Sequence, residues 1–244
     1  MRSLFDFYES KKSTLEYHET LNPKLWIGEK LKPQIREKLL EIANFWAEHA
    51  LIPEDAIQDI TLVGGNANFN YTDLSDVDLH LLIDKSKIAE CEDKILDEYL
   101  KDKKAIWGLT HDLQIYGIPV EIYAQDISEK TSKDQGVFSI KNNKWLQKPS
   151  YKRITINHPL ILKKSKSLEN VINYFMQNKV DNIQLLNSFK DKVRNMRGAA
   201  IKRGGEFSIE NLAFKELRNK GLLDKFTNYI VSVEDKKLSL GEND

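Results

Sequence analysis

The chain has 244 residues, 41% apolar and 30% charged, a balance that excludes a disordered polymer and suits one larger or two small packed domains. Its 37 basic residues offset 37 acidic ones, so no global field marks a general nucleic-acid binder. The only cysteine, Cys91, excludes an internal disulfide, and no signal-peptide pattern or long apolar run occurs, so a cytoplasmic protein without a membrane span is expected.

The first thirty residues are mixed and expected to drape over the core, with Leu21-Asn22-Pro23 turning the chain. From Pro33 to about Leu51, Ile35, Leu39, Ile42, Phe45, Trp46 and His49 recur at helical spacing, with the proline near the start. An apolar strand, Ile60 to Val63, ends in Gly64-Gly65-Asn66; ten residues after Gly65, Asp76-Val77-Asp78-Leu79-His80 enters a second strand. A helix is predicted from about Ser86 to Lys101, with Ile88, Cys91, Ile95 and Tyr99 on its apolar face, which assigns the cysteine to packing. Residues 110–125 read as two strands around Gly117-Ile118-Pro119, and residues 136–146 as a hairpin turning at Asn142-Asn143. From about Thr155 the spacing is helical, over 167–179, 183–202 and 208–219, with turns at Gly204-Gly205 and Gly221 and a polar tail from Glu234 expected to fray. Residues 1–154 therefore read as a mixed core with an N-terminal extension, and 155–244 as a helical region. Trp26, Trp46, Trp107 and Trp145 are assigned to packing.

Chemistry concentrates in residues 59–84. Side chains alternate along a strand, so Asp76, Asp78 and His80 share one face while Val77, Leu79 and Leu81 take the other. Two carboxylates about 5 Å apart repel by roughly 3 kcal/mol at an effective dielectric near 20, a cost that magnesium ions bridged by phosphates would offset. Glycines allow a sharp turn after the first strand and a close approach of backbone N–H groups to phosphate oxygens. If Asn66 opens a helical turn, its N–H groups also favour an anion. Neither a P-loop nor a G-x-G-x-x-G pattern occurs in this segment. Five scattered histidines without partner cysteines argue against zinc.

The order apolar strand, Gly64-Gly65, a gap of ten residues ending in Ser75, then Asp76-Val77-Asp78-Leu79 resembles the signature of the DNA polymerase β-type nucleotidyltransferases. The resemblance implies an α/β (α+β) fold: a small mixed β-sheet nucleotidyltransferase core flanked by helices, followed by a helical C-terminal region. It also implies that Gly64, Gly65, Asn66 and Ser75 hold a nucleoside triphosphate. Asp76 and Asp78 would ligate Mg2+ or Mn2+, and a third carboxylate from a later strand would complete the set. Gly65 stands where many members have serine, which removes one hydroxyl contact to phosphate. Glu121, alternating with apolar neighbours on an expected core strand, is the favoured third acid; Asp112 and Asp126 are rivals nearer strand ends. His80 and Tyr123 share faces with these acids. A looser resemblance to nucleotidyltransferase-like proteins of tailed bacteriophages runs from Tyr17-His18-Glu19-Thr20-Leu21-Asn22-Pro23 through the motif. It resumes at Val120-Glu121-Ile122-Tyr123 and at Arg203-Gly204-Gly205-Glu206-Phe207-Ser208, and would place the protein in a host cytoplasm.

Lys190, Lys192, Arg194, Arg197, Lys202 and Arg203 outnumber Asp191 along one helix. They read either as a nucleotide-binding clamp on phosphate, centred on Arg194, Arg197, Lys202 and Arg203, or as a solvated basic face. A second basic patch comprises Lys141, Lys144, Lys148, Lys152 and Arg153, with Tyr151 beside it. The expected activity is metal-dependent transfer of a nucleoside monophosphate to a small molecule, a protein hydroxyl or an RNA 3′ end such as that of tRNA. The alternative is a nucleotide- or RNA-binding module, or a regulatory partner protein, that keeps the fold without turnover.

Overall fold

A computed structural model of the chain describes residues 14–88, 92–129, 135–151 and 159–240. Cys91, Lys152 and Arg153 lie outside the described residues. The chain forms two compact units, one built from residues 17–151 and the other from 159–240 together with 14–16.

The first unit is built on a sheet. A two-stranded ribbon, β1 (Trp26–Ile27) with β2 (Lys30–Leu31), leads into helix α1 (Pro33–His49). Strands β3 (Ile57–Val63), β4 (Val77–Ile83), β5 (Gln114–Ile115), β6 (Ile118–Asp126), β7 (Val137–Ser139) and β8 (Lys144–Gln147) follow, with helix α2 (Asp93–Thr110) between β4 and β5. Six of these strands make one mixed sheet in the order β5-β6-β4-β3-β7-β8, antiparallel except for the parallel pair β4 and β6. The expected mixed α/β class is the one observed.

Alternation explains the sheet. Along β4, Val77, Leu79, Leu81 and Ile83 are fully buried while Asp78, His80 and Leu82 are half-buried, so one face packs a core and the other carries the polar residues. Against the apolar face lie Leu39, Ile35 and Trp46 of α1, all buried, and Leu96, Leu100 and Trp107 of α2. Phe45, expected in that core, is 59% exposed. The α1 stripe runs through Ile35, Leu39, Ile42 and Trp46, and Phe45 falls beside it.

Helix α2 starts seven residues later than predicted and ends nine later. Asp84 accepts from Ser86 N–H at 3.1 Å and closes a short 3-10 turn over Lys85–Lys87, so the chain does not enter the α-helix there. The helix then buries Leu96, Leu100 and Trp107 and leaves Ile95 57% exposed, while Ile88 and Tyr99 of the expected face pack partly buried against the core. The predicted hairpin is present as β7 and β8, with Asn143 in the left-handed region at φ 53°.

The second unit is helical: α3 (Pro159–Gln177), α4 (Ile183–Gly204), α5 (Ile209–Asn219) and α6 (Leu222–Leu238). Asn182 caps α4 by accepting from Leu185 N–H at 3.0 Å, and Gly205 leaves it at φ 72°. The core holds Ile172, Leu186, Leu217 and Ile230, with the rings of Phe175, Phe189 and Phe226 within 6.0 Å of one another. The tail is helical through Leu238 rather than frayed from Glu234, because Leu222, Phe226 and Ile230 recur at i, i+4 and i+8 and bury the first half of α6. Residues 14 and 15 belong here too: Thr14 donates through N and Oγ1, each at 2.9 Å, to the buried Glu216 carboxylate. No helix among the described residues is long and apolar enough to cross a membrane.

Candidate metal and nucleotide site

The Gly64-Gly65 turn and the aspartates meet at the end of the sheet. Antiparallel pairing sets Val63 opposite Asp78, so the chain leaving β3 turns over the Asp78 side chain. Gly64 makes this turn with φ 73° and ψ −161°, and a Cβ there would lie 1.6 Å from Asp78 Oδ2. Only glycine leaves room for that carboxylate. A Cβ on Gly65 would stand 3.1 Å from Ser75 Oγ, so a serine at this position would crowd the loop. Gly65–Ala67 continue as a single 3-10 turn.

Parallel pairing of β4 with β6 sets Asp78 beside Glu121 and His80 beside Tyr123. Asp76 lies one residue before β4 on the same face. One carboxylate oxygen from each of Asp76, Asp78 and Glu121 falls within 4.8 Å of the other two. Opposite ligands of a six-coordinate magnesium ion stand about 4.2 Å apart, so small side-chain adjustments would close these oxygens on one ion. An all-carboxylate set suits Mg2+ or Mn2+ and not zinc. The residues present therefore fit the expected ions. The two rivals for the third acid lie elsewhere: Asp112 sits in the loop before β5 beside Gln114, and Asp126 is paired with Ile83 at the far end of β6.

Glu121 is not buried as a core-strand residue would be. Its side chain is 54% exposed and accepts from Lys104 Nζ of α2 at 3.2 Å. The short β5 pairs only with Ile118 and Pro119, which leaves the outer side of β6 open at Glu121. Lys104 also lies 5.7 Å from the centroid of the Tyr123 ring. Sequence spacing held no signal for this lysine, because it comes from a helix 17 residues away.

The Asn66 side chain is fully buried. Its Oδ1 accepts from Asn22 Nδ2 at 2.8 Å, and its Nδ2 donates to the carbonyl of Asp76 at 2.8 Å and to that of Ser75 at 3.3 Å. Trp26 Nε1 donates to the Asn66 carbonyl at 2.8 Å. Asn66 thus ties the glycine turn to the aspartate strand, and only its backbone N–H remains for the role expected of it. Ser75 Oγ accepts from Thr72 N–H at 2.9 Å and staples the same loop. The segment before β1 adds another brace: the His18 ring stacks on Tyr71 at 3.9 Å.

Below the acids, His80 Nδ1 meets Gln125 Oε1 at 2.7 Å, and burial lowers the imidazole pKa, so the ring is held neutral. Burial also pushes the Tyr123 hydroxyl up to about 12, with the neighbouring Glu129 carboxylate adding to the shift. Between α2 and β6 lies a cleft of about 500 Å³ whose walls include Lys104, Tyr123, Leu100 and Glu129.

The basic residues divide. Arg194, Arg197, Lys202 and Arg203 all belong to α4 of the helical unit. Lys202 and Arg203 occupy its last turn, and Arg203 Nε donates to the Ala199 carbonyl at 3.4 Å, as cations at a helix C-terminus do. Within the sheet unit, Lys148 pairs with Glu29 at 2.5 Å and Lys141 donates to the Ile57 carbonyl at 3.3 Å. Tyr151 packs on Tyr17 and Phe69, with both ring centroids 5.5 Å away.

No protein-family model and no curated protein matches the chain. Two solved structures are similar to it. A STING-associated CdnE c-di-GMP synthase from Capnocytophaga granulosa is 13% identical, with 85% of this chain and 84% of that chain covered and a TM-score of 0.22. A STING-associated CdnE c-di-GMP synthase from Flavobacteriaceae sp. is 10% identical, with 85% of each chain covered and a TM-score of 0.24. Superpositions this loose carry no argument about the present chain.

Proposed function

We propose that the protein is a metal-dependent nucleotidyltransferase, moving a nucleoside monophosphate from a nucleoside triphosphate to an acceptor hydroxyl. The observation that carries this reading is the gathering of Asp76, Asp78 and Glu121 oxygens within 4.8 Å, beside a turn in which Gly64 is sterically required. Carboxylates this close to one another carry a mutual repulsion. Hard cations and the phosphates they bridge relieve it.

Magnesium or manganese, when held by the three carboxylates, would screen the phosphate charge and make the acceptor hydroxyl more acidic. The chain supplies the rest. Backbone N–H groups of the Gly64-Gly65 turn would lie against the triphosphate, where a missing Cβ permits contact. Asn66 and Ser75 would hold that turn in register with Asp76 and Asp78. Glu121, the most exposed of the three acids, would take up the proton of the acceptor hydroxyl. A bond forms between the acceptor oxygen and the α-phosphorus, the bond to the bridging oxygen breaks, and pyrophosphate leaves. The cleft beside Lys104 and Tyr123 supports an acceptor of small-molecule size.

The test is to incubate the protein with each α-labelled nucleoside triphosphate, Mg2+ or Mn2+, and fractionated small molecules, proteins and RNA. Metal-dependent labelling of one fraction that disappears in Asp78→Asn supports the reading. Labelling that persists in that variant removes it. Tight nucleotide binding with no label transferred would favour the binding-module alternative.

A further inference from the structure

The helical unit has a small cavity of its own, about 240 Å³, with an aromatic base and a cationic rim. Phe189, Phe214 and Phe226 line the base. Lys190, Arg194 and Arg197 stand at i, i+4 and i+7 on one face of α4, and Arg218 at the end of α5 completes the ring. Against these four cations the lining has one carboxylate, Asp224 of α6.

Arg197 is held in position. Its Nε donates to Asn211 Oδ1 at 3.2 Å, and its guanidinium lies 4.7 Å from the centroid of the Phe214 ring. Asn211 is fully buried and donates to the Glu206 carbonyl at 2.6 Å, so the core itself places this arginine. Among the described residues, no carboxylate lies within ion-pair distance of Lys190, Arg194 or Arg218. Lys190, Arg194 and Arg218, gathered around one hole, repel one another, and an anion between them would relieve that repulsion.

We infer that this cavity binds the phosphoryl group of a small organic phosphate, with the attached apolar or aromatic part resting on the phenylalanine base. Guanidinium forks match phosphate oxygens in pairs, and flat groups stack well on Phe rings. Size limits the ligand: pockets for whole drug-sized molecules begin near ~300 Å³, so this one takes a phosphoryl group and its adjoining stem. Shape argues against an RNA strand, which needs an extended groove, whereas these cations line one small hole together with Asp224. The inference requires no metal and none of the three acids, so it stands or falls apart from the transfer reading.

The experiment is calorimetric titration of the full chain in EDTA with three probes: adenosine 5′-monophosphate, inorganic phosphate, and a single-stranded RNA lacking terminal phosphates. EDTA removes divalent ions and so keeps the acidic site out of the measurement. The expected result is one-to-one binding of the monophosphate, weaker binding of inorganic phosphate, and the weakest binding of RNA. Arg194→Gln and Arg218→Gln, both at exposed positions, should each weaken the monophosphate by about tenfold or more. Absence of monophosphate binding, affinity unchanged in both arginine variants, equal affinity for inorganic phosphate, or RNA binding tighter than the monophosphate would each overturn the inference.

Discussion

Gly64 and Asp78 occupy one another's space: a methyl group on the glycine would lie 1.6 Å from the aspartate Oδ2. The clash is compounded by a φ of 73° at Gly64, a region L-residues rarely adopt. Gly64→Ala is therefore expected to displace Asp78 and to cost more than about 2 kcal/mol. Urea unfolding gives the cost, and Mn2+ titration shows whether the acidic cluster survives. A variant with normal stability and normal metal affinity would show that the turn and the aspartate are not coupled.

Asp76→Asn and Asp78→Asn should eliminate metal-dependent transfer, since each removes a carboxylate that would hold the ions. Wild-type protein should gain several degrees on adding Mg2+ or Mn2+, because a ligand that binds only the folded state stabilises it by mass action. Both variants should lose that gain. Scanning calorimetry with and without EDTA measures the gain.

Lys104 and a metal ion compete for the Glu121 carboxylate. The pair is solvent-exposed, so its contribution is about 1 kcal/mol at most. Lys104→Ala should therefore tighten Mn2+ binding by up to roughly fivefold, read by the loss of the free-ion paramagnetic resonance signal. Weaker binding in this variant would mean instead that the lysine holds Glu121 in its productive position.

Asn66→Ala leaves the Asn22 amide and two main-chain carbonyls of the loop without their buried partner. A loss of about 2–3 kcal/mol is expected. Hydrogen exchange should show the loosening in residues 64–76 first. Uniform loss of protection across the sheet would contradict a local brace.

In the helical unit, Glu169 of α3 pairs with Lys166 of the same helix at 2.6 Å and with Lys220, at the end of α5, at 3.2 Å. Burial alone would raise its pKa, but the two lysine hydrogen bonds outweigh burial and hold the carboxyl below its ordinary value. A carboxylate with a depressed folded pKa stabilises the protein above its unfolded pKa, and that contribution is lost as pH falls through the folded value. Glu169→Gln should thus be less stable than wild type by about 1 kcal/mol near neutrality, with the difference vanishing in acid. Urea midpoints taken across the acid range test it; a constant difference at every pH would exclude the ionic contribution.

Several features were legible locally. Alternation in Asp76-Val77-Asp78-Leu79-His80 placed the acids on one face and the apolar residues on the other, and β4 has that pattern. The stripe Ile35, Leu39, Ile42 and Trp46 gave α1 to within two residues at its end. Other features were not. Ile95 and Leu96 are adjacent and both apolar, so which of them enters the core depends on where the helix begins, and the Asp84 turn delays that start. Asn66 looked like a turn residue facing a ligand because its partners, Asn22 and Trp26, lie 44 and 40 positions upstream.

Order and spacing along the chain were sufficient to expect two aspartates and a glycine turn to lie together, because strand alternation and the missing Cβ are properties of short segments. Alternation already favoured Glu121 over Asp112 and Asp126, but only the parallel pairing of β4 with β6 sets it beside Asp78, and Lys104 became visible only when α2 brought it to that carboxylate. Pairing register and helix docking are settled by burial of residues far apart in sequence, and no local pattern carries that information.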